Sequence, residues 1–274
     1  MKLCRRAAEL AGYTGTVGFV PTMGALHEGH LSLVKACREA CDTTVVSIFV
    51  NPTQFNDPKD LASYPRTEAA DLALLDAAGV DFVFAPSVAE VYPEPDTRVF
   101  DFGGLDRVME GEHRPGHFNG VGQVVSRLFE IVRPNRAFFG EKDFQQLAII
   151  RHMVAQLGLP IEITGCPIVR DRDGLARSSR NALLSPEHRA AAPHIYEVLS
   201  EAARSLRGTV PVAEAKRLIA ERIDANPLLK TEYVEIATAD TLRPATEWSR
   251  SSGDLRCFVA VQAGAVRLID NVAI

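Results

Sequence analysis

Short apolar runs alternate with amphipathic segments along the first two thirds of the chain. The runs are rich in β-branched residues, as in strands buried on both faces of a parallel sheet, and the segments between them have helical spacing. The predicted strands are 16–20, 43–50, 80–85 and 136–139, with further apolar pieces at 161–164 and 168–169. The predicted helices are 31–41, 68–78, a short one at 105–110, 121–132 and 144–157. This alternation predicts an α/β protein with a Rossmann-like doubly wound parallel sheet.

The alternation stops near residue 171. Asp171-Arg172-Asp173-Gly174 is a turn sequence, and Ser185-Pro186 then opens a predicted long helix, with Ser as the cap and Pro in the first turn. A second helix at 212–225 and strands at 233–237, 255–261 and 266–269 complete the pattern. We therefore expect a larger domain at residues 1–171 and a second, smaller α+β C-terminal domain at residues 172–274.

Composition and charge limit the classes of protein to which this chain can belong. The chain has 274 residues, 46% of them hydrophobic, and a net charge of −5, which argues against a general nucleic-acid-binding surface. The five cysteines include no Cys-x-x-Cys pair and are expected to be reduced thiols. No apolar stretch approaches the ~20 residues that span a bilayer. The sequence predicts a cytoplasmic protein that binds neither nucleic acid nor membrane.

The segment from Pro21 to His30, here called the histidine loop, connects the first predicted strand to the first helix. We expect Pro21 to end the strand, and Gly24 to let the backbone turn or approach a ligand closely. His27 and His30 share one face of the first helical turn, where the helix dipole and free backbone N–H groups favour anions. The loop therefore predicts a phosphate site that needs no nucleophilic side chain.

A zinc site is an alternative interpretation of the same region, because two cysteines lie one helical turn apart just downstream. They are Cys37 and Cys41. However, His-Glu-Gly-His is one residue shorter than the His-Glu-x-x-His zinc pattern, and several helical turns separate the cysteines from the histidines. A phosphate site is therefore the prediction for this region.

Three further loops carry polar residues at positions where strands of a parallel sheet would deliver them to one cleft. After the second strand, the amides of Asn51 and Gln54 are placed to orient a small polar substrate. The segment 140–146 repeats the strand-to-helix arrangement and adds Lys142, a point charge for phosphate. The segment 177–181, Arg-Ser-Ser-Arg-Asn, follows the expected domain boundary and offers hydroxyl and guanidinium groups to a polyphosphate.

Six motifs, in order, carry a resemblance to a known family. They are Pro-Thr-Met-Gly-Ala-Leu-His-Glu-Gly-His at 21–30, Phe-Val-Asn-Pro-Thr-Gln-Phe at 49–55, Tyr-Pro-Arg-Thr at 64–67, Arg-Pro-Gly-His-Phe at 114–118, Phe-Phe-Gly-Glu-Lys-Asp at 138–143 and Ser-Ser-Arg-Asn at 178–181. Together they resemble the pantoate–β-alanine ligase family over nearly the whole chain. The resemblance implies that ATP activates pantoate as pantoyl adenylate, releasing pyrophosphate, and that β-alanine then displaces AMP to give pantothenate.

The resemblance also implies roles for individual residues. His30, the proton donor, would act in catalysis with His27 and Lys142, and the substrate-binding residues would be Gln54, Gln146 and Asn51. The ATP-binding residues would be Met23, Gly24, Ala25, Leu26, His27, Glu28, Gly29, His30, Gly140, Glu141, Lys142, Asp143, Val169, Arg177, Ser178, Ser179 and Arg180. Residues 1–171 would then bind ATP and pantoate, and residues 172–274 would form a lid. The family further implies Mg²⁺ carried by ATP, no metal site made of protein side chains, and a homodimer.

Two positions depart from the family pattern. Arg177 stands where the family usually has Met or Leu, and Thr53 stands where it usually has Met, so the role of Arg177 at the nucleotide is open. The alternative function is another small-molecule nucleotidyltransferase with the same phosphate site. An aminoacyl-tRNA-synthetase-like enzyme would need a surface for tRNA, and a noncatalytic nucleotide-binding module would not need Gln54 and Gln146.

Overall fold

The structure is a computed structural model that describes residues 1–55, 58–249 and 254–274. It contains two compact units. The first comprises Met1–Glu141 and Gln145–Pro167, and the second comprises Lys142–Phe144 and Ile168–Ile274. The domain boundary expected between residues 171 and 172 stays a prediction.

Parallel strands form the sheet of the first unit. Within the described residues they are β1 (Lys2–Cys4), β2 (Val17–Thr22), β3 (Thr43–Ile48), β4 (Phe82–Phe84), β5 (Arg136–Gly140) and β6 (Glu162–Cys166). Their order across the sheet is β1-β4-β3-β2-β5-β6. From β2 the chain proceeds in one direction to β3 and β4, and later in the other direction to β5 and β6. The predicted doubly wound α/β fold is confirmed, and its switch point lies between β2 and β5.

Helices connect these strands and bury both faces of the sheet. They are α1 (Glu28–Ala40), α2 (Pro58–Ser63), α3 (Glu68–Ala77), α4 (Val88–Val91), α5 (Glu110–His113), α6 (His117–Val132) and α7 (Phe144–Gln156). Adjacent strand residues point to opposite faces, so Phe19 and Phe139 belong to one buried cluster, whereas Val20 and Phe138 belong to another. Because both faces of the sheet are buried, the sequences of its strands are nearly continuous hydrophobic runs.

The second unit is a smaller α+β arrangement, as predicted. Its helices are α8 (Pro186–Ala191), α9 (His194–Ser205) and α10 (Val212–Asp224), and its antiparallel strands are β7 (Leu229–Thr238), β8 (Leu255–Ala263) and β9 (Val266–Ala273). The expected single long helix after Ser185 is wrong, because α8 and α9 are separate and Pro193 stands between them. None of the described helices is both long and apolar enough to cross a membrane.

Three local predictions need correction. Strand β2 continues through Pro21 to Thr22, since Pro21 lies beyond the β2 ladder with β5 and its missing N–H interrupts no bond there. The apolar pair 168–169 lies outside any strand, because β6 ends at Cys166, just before a proline. The helix predicted at 105–110 is replaced by turns that lead into α5.

The replacement of that helix has a side-chain cause. Gln145 of α7 donates from Nε2 to the carbonyl oxygens of Leu105, at 2.7 Å, and Val108, at 2.8 Å. Its Oε1 accepts from the N–H of Glu110 at 3.0 Å. A side chain from a distant helix thus satisfies the backbone groups that a local helix would have paired.

Candidate active site

The histidine loop leaves β2 through two consecutive residues in the left-handed conformation. Gly24 has φ +81°, and Ala25 has φ +50°. A Cβ on Gly24 would lie 3.0 Å from Oδ2 of Asp71, so the left-handed conformation favours glycine and the carboxylate leaves little room for a side chain. Asp71 itself accepts hydrogen bonds from the N–H groups of Ala25, at 2.9 Å, and Leu26, at 2.8 Å.

These contacts correct one element of the predicted phosphate site. The N–H groups of Ala25 and Leu26 are not free, because Asp71 already accepts from them. The N–H of Gly24 donates to the Thr22 hydroxyl at 3.2 Å. Much of the loop backbone therefore bonds within the protein.

His27 and His30 form an ordered pair at the start of α1. Nδ1 of His27 accepts from the N–H of Gly29 at 3.1 Å, and the N–H of His27 donates to Nδ1 of His30 at 3.3 Å. The two ring centroids are 4.1 Å apart. Because each Nδ1 is an acceptor, the proton of each neutral imidazole resides on Nε2. The helix N-terminus therefore carries two Nε2–H donors, which suit the oxygens of an anion.

The cysteines of the zinc alternative have a packing role. A Cβ placed on Gly18 of β2 would lie 2.3 Å from Sγ of Cys37 and 2.8 Å from Sγ of Cys41, so both thiols fill space against the sheet. Burial raises the pKa of Cys37 to about 12. Among the described residues, no group of three or more His, Cys, Asp or Glu side chains is arranged so that it could hold a metal ion.

The loop after β3 brings an amide pair to the histidine loop. Asn51 is 1% exposed, and its Nδ2 lies 3.2 Å from Oε1 of Gln54. Nε2 of Gln54 in turn lies 3.3 Å from Sδ of Met23. The loops that follow β2 and β3 thus meet beyond the carboxyl ends of these neighbouring strands, as the sequence predicted for Met23, Asn51 and Gln54.

Asn51 is a structural centre of this group. Its Oδ1 accepts from the Tyr92 hydroxyl at 3.0 Å, and its Nδ2 lies 3.2 Å from the carbonyl oxygen of Gly120. The hydroxyl of Thr53 also bonds it, 3.0 Å from Nδ2, so the threonine found in place of the usual methionine joins the same network. These contacts hold the Gln54 side chain in one orientation.

Three residues near Gln54 were missed as site residues in the sequence analysis. Nδ1 of His117 lies 2.8 Å from the Gln54 carbonyl oxygen, and Nε2 of His117 lies 3.2 Å from a guanidinium nitrogen of Arg114. A Cβ on Gly120 would lie 2.4 Å from the Thr53 carbonyl oxygen, so only glycine allows α6 to pack this closely. The Arg-Pro-Gly-His-Phe motif at 114–118 was the available signal for Arg114 and His117.

In the second unit, Lys142 lies in the short segment that follows β5. Its side chain is 17% exposed, and its Nζ lies 3.9 Å from Oδ1 of Asp143. The Lys142 carbonyl oxygen accepts from Nδ2 of Asn271 at 3.0 Å, which ties the segment to β9. In the first unit, a Cβ on Gly140 would meet no atom within 4 Å, which leaves room beside its backbone.

Arg177 is neutralised by a neighbour within the second unit. The side-chain Nε of Arg177 lies 2.5 Å from Oδ1 of Asp171. The backbone N–H of Arg177 donates to the Val169 carbonyl oxygen at 2.9 Å. Asp171 also accepts from Arg189 at 3.0 Å, and Arg189 holds the pKa of Asp173 below its usual value by a hydrogen bond. The arginine that replaces an apolar residue of the family is therefore part of a local ion-pair network.

The serine–arginine segment begins the 3-10 helix Ser179–Leu183. Ser178 caps this helix, since its Oγ accepts from the N–H of Arg180 at 3.3 Å. Nearby, Arg170 makes a two-pronged ion pair with Asp270, at 2.6 and 2.9 Å. Arg170 thus serves the internal structure of the second unit.

The parallel sheet, its switch point and the imidazole pair at a helix N-terminus define an α/β enzyme of the nucleotide-binding class. A family model described as Pantoate-beta-alanine ligase matches residues 2–273. Pantothenate synthetase of Porphyromonas gingivalis is 54% identical over 257 residues, which cover 94% of this chain and 91% of that protein. The chain belongs to the pantoate–β-alanine ligase family, and it is an AMP-forming ligase.

Further relatives agree with this membership. Pantothenate synthetase of Cereibacter sphaeroides is 50% identical over 273 residues, covering 100% of this chain and 97% of that protein. The crystal structure of pantothenate synthetase from Thermus thermophilus has a TM-score of 0.94 at 47% identity, covering 100% of this chain and 99% of that one. Pantoate-beta-alanine ligase from Francisella tularensis, complexed with beta-gamma ATP and beta-alanine, has a TM-score of 0.82 at 34% identity, covering 100% and 97%.

Proposed function

We propose that this chain makes pantothenate from pantoate, β-alanine and ATP by way of pantoyl adenylate. A carboxylate oxygen of pantoate attacks the α-phosphorus, and pyrophosphate leaves. The amine of β-alanine then attacks the acyl carbon, the amide bond forms, the amine loses a proton, and AMP leaves. Neither step needs a covalent bond to the protein, so binding, orientation and charge stabilisation supply the catalysis.

The observation that carries the proposal is the pair of hydrogen bonds that Nδ1 of His27 and Nδ1 of His30 accept. His27 and His30 each have Nδ1 occupied as an acceptor, and each is therefore a donor at Nε2. Two such donors beside a helix N-terminus suit the charge that develops on the phosphate oxygens during attack. We assign catalytic roles to His30 and His27, and we assign a third to Lys142 as a phosphate-binding cation.

The nucleotide-binding residues remain as the family resemblance gives them. In the histidine loop these are residues 23–30, and after β5 they are residues 140–143. Val169 and the segment 178–180 complete the set, and Arg177, the remaining residue that the resemblance gives, is assigned differently. For Arg177 we propose a structural contribution through Asp171 in place of a direct phosphate contact, because its Nε lies against the Asp171 carboxylate.

Pantoate recognition is assigned to amides. Asn51 holds the carboxamide of Gln54 in one orientation, which favours Gln54 as a fixed partner for the pantoate hydroxyl and carboxylate groups. Gln146 is half-buried on α7, and its amide has no hydrogen-bond partner within the described part of the chain. We propose that pantoate is its partner, and that Gln54 also lies near the β-alanine position.

The substrate form of the nucleotide is MgATP in this proposal. The imidazole donors of the histidine loop suit phosphate oxygens, and the magnesium ion is carried by those phosphates. We further propose that the enzyme is a homodimer and works in the cytoplasm, as the family resemblance implies.

An isotope experiment tests the proposed chemistry. Pantoate labelled with heavy oxygen in its carboxylate is incubated with MgATP, β-alanine and the protein, and AMP is analysed by mass spectrometry. The proposal predicts AMP that carries one heavy oxygen, because that oxygen bonds to the α-phosphorus and leaves with it. Unlabelled AMP would contradict an acyl-adenylate route. AMP formation that requires a different acid would instead favour another small-molecule nucleotidyltransferase.

A further inference from the structure

Asp71 is a buried carboxylate that accepts hydrogen bonds from the backbone of the histidine loop. It lies on α3 and is 1% exposed. Its two oxygens accept from the N–H groups of Ala25, at 2.9 Å, and Leu26, at 2.8 Å. The Thr67 hydroxyl lies 3.2 Å from each oxygen. A buried carboxylate is costly without such partners, so Asp71 and the loop depend on one another.

The loop conformation needs this support. Two consecutive left-handed residues, Gly24 and Ala25, turn neighbouring N–H groups toward one point, and such concavities commonly bind anions. Here the anion is the side chain of Asp71, which is too buried to be displaced by a ligand. Ala25 carries a Cβ and does not favour this conformation by itself. The two hydrogen bonds to Asp71 offset that cost.

The backbone group that Asp71 binds lies next to the histidine pair in the chain. Leu26, whose N–H donates to Asp71, immediately precedes His27, and the N–H of His27 donates to Nδ1 of His30. The contacts therefore run from the Asp71 carboxylate through Leu26 to the backbone N–H of His27, and from there to the imidazole of His30, while Nδ1 of His27 accepts from Gly29. Displacement of a catalytic group by about 1 Å can cost on the order of 10²-fold in rate.

We propose that Asp71 is a positioning residue for the adenylation step. It fixes the left-handed turn of the histidine loop, and through that turn it sets the place and tautomer of His27 and His30. Asp71 itself contacts no substrate. The kinetic consequence rests on the proposed function above, whereas the consequence for the histidine tautomers holds in the free protein.

The test replaces Asp71 by a residue of the same shape. Asp71→Asn puts an NH2 group, which cannot accept, against one of the two loop N–H groups. We expect the rate of pantoate-dependent pyrophosphate exchange to fall about 30- to 100-fold, while the KM for ATP stays within about threefold. Nitrogen NMR of the free protein should show mixed tautomers at His27 and His30 in place of Nε2–H alone.

A matched control lies on the same helix. Asp76 of α3 is 68% exposed and lies more than one helical turn beyond Asp71, so Asp76→Asn should keep both the exchange rate and the histidine tautomers. Exchange by Asp71→Asn within about threefold of the unchanged protein would overturn the proposal. A large fall in rate with unaltered histidine signals would also overturn it, because Asp71 would then act by another route.

A second variant guards against a failure to fold. Thr67→Val removes only the hydroxyl beside the carboxylate, and we expect a fall of about three- to tenfold in exchange with the same mixing of tautomers. An unchanged rate and unchanged tautomers in this variant would overturn the proposal. If the unchanged protein shows no pantoate-dependent exchange, the proposed function fails, and the tautomer measurement still decides the role of Asp71.

Discussion

Gln145 and Gln146 are neighbours on α7, and their amides have different partners. Gln145 is 5% exposed, and its amide bonds the backbone of Leu105, Val108 and Glu110. The Gln146 amide has no hydrogen-bond partner among the described residues. The first amide is used by the fold, and the second is available to a ligand.

Substitution of Gln146 should therefore affect substrate use. Gln146→Ala is expected to raise the KM for pantoate about tenfold, through the loss of one or two hydrogen bonds, and to change the KM for ATP less than about twofold. Steady-state kinetics with each substrate varied in turn measures both. Gln156→Ala, an exposed position at the end of the same helix, is the control. A larger effect on ATP than on pantoate would refute the assignment.

Substitution of Gln145 should instead affect stability. Gln145→Ala leaves a buried N–H and two carbonyl oxygens without their partner, and we expect the free energy of unfolding to fall by about 2–4 kcal/mol. Denaturant unfolding of this variant and of Gln156→Ala provides the comparison. Equal stability of the two variants would show that water or a rearranged backbone replaces the amide.

Local patterns were sufficient to predict much of the fold. The strands β2, β3 and β5 and the helix α6 follow from runs and periods within a few residues. The edge strand β1 escaped prediction because it has three residues and exists only through pairing with β4, about eighty positions away. The 105–110 helix failed for a similar reason, since its backbone partner, Gln145, is distant in sequence.

The prediction of the site was limited in the same way, by contacts between residues that are distant in sequence. The sequence predicted a phosphate site at the histidine loop, which stays a prediction, and the structure brings Met23, Asn51 and Gln54 into contact as expected. The sequence did not identify Asp71, whose carboxylate accepts hydrogen bonds from the N–H groups of Ala25 and Leu26, which were expected to be free. A single carboxylate in an amphipathic helix resembles any solvated charge, and only the tertiary structure shows that it is buried.

Loss of one imidazole tests the catalytic assignment. His30→Ala removes an Nε2–H donor from the phosphate site, and we expect the adenylation rate to fall on the order of 10²- to 10³-fold with the fold intact. Rapid-mixing measurements of pantoyl adenylate formation report this rate directly. His188→Ala, on α8 of the second unit, serves as the control histidine. Near-normal turnover by His30→Ala would remove His30 from the mechanism.

Arg177 offers a test that is particular to this chain. Its side chain is 38% exposed and paired with Asp171, which keeps Arg189 as a second partner. Arg177→Met should therefore change the free energy of unfolding by less than about 1 kcal/mol and the KM for ATP by less than about threefold. Arg180→Met, proposed to lose a phosphate contact, should raise the KM for ATP about tenfold. Equal increases in both variants would place Arg177 at the nucleotide.

The most direct test of the central claim is the exchange of labelled pyrophosphate into ATP. Purified protein is incubated with magnesium, ATP and labelled pyrophosphate, with and without pantoate, and in the absence of β-alanine. Reversible formation of pantoyl adenylate predicts exchange that appears only when pantoate is present. Exchange without pantoate, or no exchange with pantoate although ATP binds, would contradict a pantoyl-adenylate half-reaction in this protein.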